Sequence, residues 1–151
     1  MQNAPWPDDW SKLWFLVRRV ASLMDRAGES MFRRELGISL AQFLVLSVVD
    51  AHPGEINQQA IADRLGLTKG TVSRQIDAAV TAGLMNVAVS PRTRRANTIT
   101  LTEAGTEMVR RGDATFEQAR HTALERMAPD DLAAALRLLA SMDEALTASL
   151  R

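Results

Sequence analysis

The sequence contains no cysteine, which excludes disulfide frameworks, thiolate zinc sites, iron–sulfur clusters and thiol redox sensing. Histidine is nearly missing too: only His52 and His121 are present, so no metal site and no cofactor are expected. Long apolar runs are also lacking. The longest stretches without a charge, residues 36–49 and 78–91, are 14 residues each, short of the roughly 18 that a membrane span needs. No membrane partner is expected. The opening MQNAPWPDDW has no basic region followed by an apolar run, so a secretory signal is not expected and the cytoplasm is the expected location. No Ser/His/Asp arrangement, phosphate-binding glycine loop or metal-ligand spacing occurs. The acidic pairs Asp130–Asp131 and Asp143–Glu144 read as helix-start charges and a solvated face rather than catalytic carboxylates. The chain is therefore not expected to be an enzyme.

What is present is an ordinary globular composition, 46% apolar and 24% charged over 151 residues. The formal net charge is zero, but that average conceals a gradient. Residues 1–56 carry six basic against seven acidic side chains and residues 103–151 carry six against nine. Residues 57–102 carry six against two, a net of +4. A basic middle between acidic ends points to one module that meets an anion.

Hydrophobic spacing gives the organisation. Trp10, Leu13, Trp14, Val17, Ala21, Met24, Ala27 and Met31 recur at intervals of three and four, one face of a helix over 8–36. Such a helix is about 40 Å long at about 1.5 Å per residue, more than so small a domain covers unaided. Gly37 stops it, and Ser39 with Gln42 forms a capping box that opens a very apolar helix to about Ala51. Asn57 caps a short helix from Gln58 to Leu65, closed by Gly66, and Thr68 caps another that runs to Ala82. Leu84–Val89 and Asn97–Thr102 are rich in Val, Ile and Thr and read as a β-hairpin with a basic tip. A helical pattern follows from Glu103 to about Met127, and Pro129 opens a last helix with Leu132, Leu136, Leu139, Met142, Leu146 and Leu150 on one face. The fold expected is mainly α with a small β-hairpin wing, divided as 1–36, 37–105 and 106–151.

The segment INQQAIADRLGLTKGTVSRQIDAAVTAGLM, residues 56–85, has helix-turn-helix order. Ile61, Leu65, Leu67, Val72 and Ile76 supply a small core, and Ala62 permits close helix approach. The face that remains on the second helix holds Lys69, Gly70, Ser73, Arg74, Asp77 and Ala78, with Thr68 and Thr71 at its start. These side chains are short or hydrogen-bonding, with two cations among them. Such a face fits a major groove about 12 Å wide, where Arg74 or Lys69 reaches guanine O6 and N7 and Thr71 or Ser73 meets bases or phosphates. A helix pair with a glycine turn and a merely solvated polar face would give the same pattern, so the hairpin matters. Arg92, Arg94 and Arg95 crowd three like charges into four residues, which a polyanion or an acidic partner relieves. A basic hairpin directly after a recognition-type helix makes a winged helix-turn-helix whose arginines enter a minor groove. A protein-interaction module with an acidic partner remains the alternative from another class.

The run from Leu40 to Gly105, with QQAIADRLGLTKGTVSRQIDAAVTAGLM and then SPRTRRANTITLTEAG, resembles the MarR family of bacterial and archaeal transcription regulators. That family's wing usually reads Asp-Pro-x-Asp-Arg-Arg, then Leu-Thr-x-x-Gly. Pro91, Arg94, Arg95, Leu101, Thr102 and Gly105 match, while Ser90 and Thr93 stand where the two aspartates are expected. The wing, Arg92, Thr93, Arg94 and Arg95, is thereby more cationic than usual. The first and last helices present stripes that the basic module cannot cover, so Trp10, Leu13, Trp14, Val17, Leu132, Leu136, Leu139, Met142 and Leu146 are expected to pack against a second subunit. The resemblance implies the same homodimer, with intertwined terminal helices. It also implies a small anionic or phenolic effector in a crevice between the dimer helices and the winged module, for which Trp14, Arg18, Phe43 and Leu46 are the candidate lining. The function expected is a sequence-specific repressor that binds a palindromic operator in double-stranded DNA and is relieved by that effector. Trp6 just precedes the first helix, and packing is the reading preferred for it as for Trp10 and Trp14.

Overall fold

A computed structural model describes residues 7–52, 54–89, 97–124 and 127–150. Its first four helices start where a side chain accepts one of the free amide protons of the first turn. Asp8 accepts from the Ser11 amide at 2.7 Å and opens α1 (Asp9–Leu36). Ser39 does the same for α2 (Leu40–Asp50) from Gln42, Asn57 for α3 (Gln58–Leu65) from Ala60, and Thr68 for α4 (Lys69–Thr81) from Thr71. Two strands follow, β1 (Met85–Val89) and β2 (Asn97–Leu101), paired antiparallel from Met85 opposite Leu101 to Val89 opposite Asn97. Then come α5 (Glu103–Leu124) and α6 (Pro129–Ser149), the latter with proline in its first turn. The elements match the sequence pattern within two or three residues at their ends. The hairpin tip, residues 90–96, and Trp6 lie outside the described residues.

The chain divides into two compact units, residues 1–113 and 114–151, with the helix α5 continuing through the boundary. In the first unit α2 is the hub, packed against α1, α3, α4 and β2. Its apolar sequence therefore has work on every side: Phe43, Val45, Leu46 and Val49 are all buried. Each full burial of this kind contributes about 1.5–3 kcal/mol. Phe43 stacks on Phe32 of α1 with ring centroids 4.4 Å apart. Gly112 of α5 lies against the same ring, where a Cβ would stand 2.8 Å from the Phe43 Cζ. The β-sheet gains a third partner in Ile56, whose carbonyl accepts from the Ile99 amide at 3.2 Å, so β2 is held on both edges.

The apolar stripe of α1 divides lengthwise. Its C-terminal end sinks into the core through Gly28 and Phe32, whereas Trp10, Trp14 and Met24 are 62%, 42% and 67% exposed. On α6 none of the described residues is buried, and Leu136, Leu139 and Leu146 stand in solvent. Among the described residues no helix is long and apolar enough to cross a membrane.

Glu29 joins α1 to α2. Its carboxylate accepts from Arg33 at 2.7 Å and from the Leu40 amide at 2.8 Å, one of the unpaired donors at the start of α2. The Arg33 hydrogen bond first, and the Leu40 amide second, hold its pKa below the ordinary 4.5. A lowered carboxylate pKa contributes stability that is present above the unfolded value and lost as pH falls through the folded one. Glu29→Gln, which keeps an acceptor but no charge, is expected to flatten that acid limb below about pH 4.5. Because the pair is well solvated, the change is under about 1 kcal/mol. Thermal midpoints of both proteins between pH 3 and 6 check it; parallel curves would show that the pair contributes nothing.

Candidate nucleic-acid interface

The α3–α4 pair is fixed from inside. Ile61 and Ala62 of α3 and Val72, Ile76 and Ala79 of α4 are buried, while Leu65 and Leu67 are partly so. The turn reverses the chain through Gly66 at φ 61°, in the left-handed region, and the Leu67 amide closes on the Ala62 carbonyl at 3.0 Å. The core forecast for this pair is thus present. It extends beyond the two helices, because Ile56, Leu84, Met85 and Ile99 join the same core.

The opposite face of α4 is what remains. Thr68, Lys69, Gly70, Arg74, Asp77 and Ala78 are exposed, and Thr71 and Ser73 are half-buried. Thr68 and Thr71 are spent on each other: the Thr68 Oγ accepts from the Thr71 amide at 3.2 Å and lies 2.9 Å from the Thr71 hydroxyl. They fix the start of the helix and present hydroxyls there. Lys69 and Arg74 have no hydrogen-bond or ionic partner among the described residues. The first turn of α4 holds no acid and begins with a lysine. A cation at a helix N-terminus opposes the macrodipole by about 0.3–1 kcal/mol, so Lys69 makes sense as part of an anion-facing surface rather than as a stabiliser of α4. Unpaired amides, the dipole and Lys69 together favour a phosphate at that end.

Gln75 is a residue that surface patterning does not single out. Its side chain turns inward from α4, where its Oε1 accepts from the Ser39 hydroxyl at 3.3 Å, the hydroxyl that caps α2. The recognition-type helix is therefore tied to α2 by a polar contact as well as by its apolar face. Nothing in local periodicity predicts a partner 36 residues away.

The four candidate wing residues, Arg92, Thr93, Arg94 and Arg95, lie outside the described residues. The strands on either side of them are paired up to Val89 opposite Asn97.

The four candidate effector residues are not brought together within this chain. Phe43 and Leu46 belong to the core. Trp14 and Arg18 lie toward the exposed end of α1, with the Arg18 guanidinium 5.1 Å from the Trp14 ring centre; at about 1.5 Å per residue they stand about 27 Å and about 21 Å along the helix from Phe32. A cavity of about 630 Å³ opens elsewhere, beside α1 and α2, lined among others by Arg26, Glu29, Arg33, Leu40, Leu44 and Leu67. None of the four lines it. Among the described residues no group of three or more acidic or histidine side chains could hold a metal ion.

Residues 36–96 match the model of the MarR family. No curated protein matches the chain by sequence. Among solved structures, a MarR/EmrR family transcriptional regulator from Acinetobacter sp. ADP1 aligns with a TM-score of 0.84 at 19% identity, over 93% of this chain and 98% of that one. Sco3205 from Streptomyces coelicolor, a MarR family transcriptional regulator in complex with DNA, aligns at 0.83 and 17% identity over 97% and 93%. CouR from Rhodococcus jostii RHA1, bound to p-coumaroyl-CoA, aligns at 0.78 and 21% identity over 93% and 95%. The matched residues 36–96 hold α2, α3, α4 and β1, with the exposed face of α4 among them, and the described chain follows the fold of these regulators. Residues 36–96 are thus similar to the MarR family, and the described chain has the winged-helix fold of these solved regulators.

Proposed function

We propose that this protein is a sequence-specific repressor that binds a palindromic operator as a homodimer and is released by a small phenolic or anionic effector. The observation that carries the reading is the outer face of α4, where Lys69, Ser73, Arg74 and Asp77 point away from a fully packed interior and the two cations have no described partner. Arg74 and Lys69 read guanine edges, Thr68, Gly70, Thr71 and Ser73 meet the backbone and neighbouring bases, and Asp77 accepts from a cytosine amino group. Arg92, Thr93, Arg94 and Arg95 hold the adjacent minor groove. The exposed stripes of α1 and α6 support a two-fold dimer, whose recognition helices would read half-sites about one helical turn, roughly 34 Å, apart. Release by a small molecule is supported by CouR, solved with an acyl-CoA ligand. The Trp14–Arg18 pair offers an aromatic face and a cation for such a ligand. Coupling of 1–3 kcal/mol between effector and DNA would change affinity by about 5–150-fold.

The experiment is fluorescence anisotropy on a duplex from upstream of the protein's own gene and on a scrambled duplex, across a salt series. A preference of about 10³-fold with a steep salt slope is expected. Arg74→Ala is expected to cost about 1–3 kcal/mol on the preferred duplex and to relax its sequence preference, whereas Arg94→Ala lowers affinity for both and reduces the salt slope by about one. If both variants bind the preferred duplex like the parent, these residues do not form the interface. Equal, weak binding of the parent to both duplexes would favour an acidic protein partner for the wing.

A further inference from the structure

The C-terminal end of α4 is closed by Gly83 at φ 72°, with the Gly83 amide on the Val80 carbonyl and the Leu84 amide on the Ala79 carbonyl. The next groups along this exit, the carbonyls of Gly83 and Leu84, are not left to water. The Thr102 hydroxyl donates to the Gly83 carbonyl at 2.7 Å, and the Thr102 amide donates to the Leu84 carbonyl at 3.1 Å. The same Thr102 oxygen accepts from the Gly105 amide at 3.0 Å, while the Thr102 carbonyl takes the first helical hydrogen bond of α5 from Thr106 at 2.9 Å. One hydroxyl thus uses its proton on the end of α4 and a lone pair on the start of α5. Gly105 lets the two backbones touch, since a Cβ there would overlap the Leu84 carbonyl, whose carbon lies 3.0 Å from it.

We propose that Thr102 is a positioning residue for DNA recognition: it fixes the angle at which α4 leaves α5, and so the pose in which Lys69, Ser73 and Arg74 meet a groove. The inference rests on α4 being the recognition helix. A threonine at this position would in any case cap α5. What goes beyond a cap is the donated proton, which an ordinary N-cap has no need to place on another helix. Phosphate contacts tolerate a tilted helix because charge attraction is long-ranged, whereas bidentate base contacts depend on alignment within a few tenths of an ångström. Loss of the tie therefore acts on specific binding more than on sequence-independent binding.

The test compares Thr102→Val, Thr102→Ser and Thr102→Asp in the full-length chain. Two quantities are read: the affinity ratio between operator and scrambled duplex, and hydrogen exchange in the peptide spanning residues 79–86 without DNA. Valine removes both hydrogen bonds of the hydroxyl and is expected to lower the ratio by about tenfold, with binding to the scrambled duplex within about twofold. Serine restores both and is expected to match the parent. Aspartate still accepts from Gly105 and caps α5 but has no proton for Gly83, so it stays folded and lowers the ratio like valine; its charge acts on both duplexes and cancels in the ratio. Should valine fail to fold, the aspartate and serine pair decides the matter. Faster exchange over 79–86 in the valine and aspartate variants, but not in serine, is expected in the same experiment. A ratio unchanged in the aspartate variant, or a serine variant as weak as valine, overturns the proposal. If the parent itself does not discriminate between duplexes, the recognition reading fails, and the exchange data still report whether the tie between α4 and α5 exists.

Discussion

Gly112→Ala is expected to destabilise the protein by about 1–3 kcal/mol, although glycine to alanine inside a helix ordinarily stabilises by about 0.5–1 kcal/mol. The reversal comes from Phe43. A Cβ on Gly112 would lie 2.5 Å from the ring Cδ2 and 2.8 Å from Cζ, against side chains that keep ordinary contact at 3.4–4 Å. The ring is 2% exposed and stacked on Phe32, itself fully buried, so it has no free direction in which to withdraw. Overpacking then outweighs helix propensity. Gly70→Ala is the internal control: nothing lies within 4 Å of its Cβ position, so propensity alone acts and a gain of up to about 1 kcal/mol is expected. Urea unfolding of the two variants beside the parent decides between these signs, and a stabilised Gly112→Ala would show that the Phe43 stack is softer than its burial implies.

If the protein is the homodimer proposed above, Leu136→Asp combined with Leu139→Asp is expected to convert it into monomers and to reduce affinity for the preferred duplex to the sequence-independent level, about 10³-fold or more weaker. Both leucines lie on α6 with 62% and 47% of their surface in solvent. Leaving several large apolar side chains exposed along one helix is unusual unless another surface covers them. Carboxylates at these positions would be hydrated in a monomer and desolvated in a dimer, so they act on association while leaving the chain folded. Sedimentation and DNA titration on the same samples check both parts. A double variant that remains dimeric would mean that the α6 stripe is not the contact.

Much of this molecule follows from short-range rules. Ser39, Asn57 and Thr68 start the helices at which they were expected, because a cap needs only a side chain and an amide three residues apart. Gly37 and Gly66 end two of them for an equally local reason. Ile61, Val72 and Ile76 were legible as the inward face of the helix pair from their spacing, and so, by subtraction, was the outward face with Lys69 and Arg74.

The effector quartet marks the limit of such reasoning. Trp14, Arg18, Phe43 and Leu46 share an aromatic or apolar character, yet periodicity treats every apolar position on a helix alike. It cannot say that Phe43 is consumed by Phe32 and Gly112 while Trp14 stays in solvent. The α1 stripe read as one continuous face, and its division into a buried end and an exposed end depends on where α2 lies against it.

By itself, then, the sequence determined the helices, the caps at Ser39, Asn57 and Thr68, the hairpin and the polar face of α4, all set by local pattern. Only the tertiary structure decided what holds that face in place: Gln75 on Ser39, Ile99 on Ile56, Glu29 on the Leu40 amide, and Thr102 between Gly83 and Gly105. Those bonds join polar groups up to 43 residues apart, from Ile56 to Ile99, and neither partner has a periodicity or composition that identifies the other. Their pairing is fixed by the tertiary packing of the elements that carry them, which brings the groups within 3.3 Å of one another.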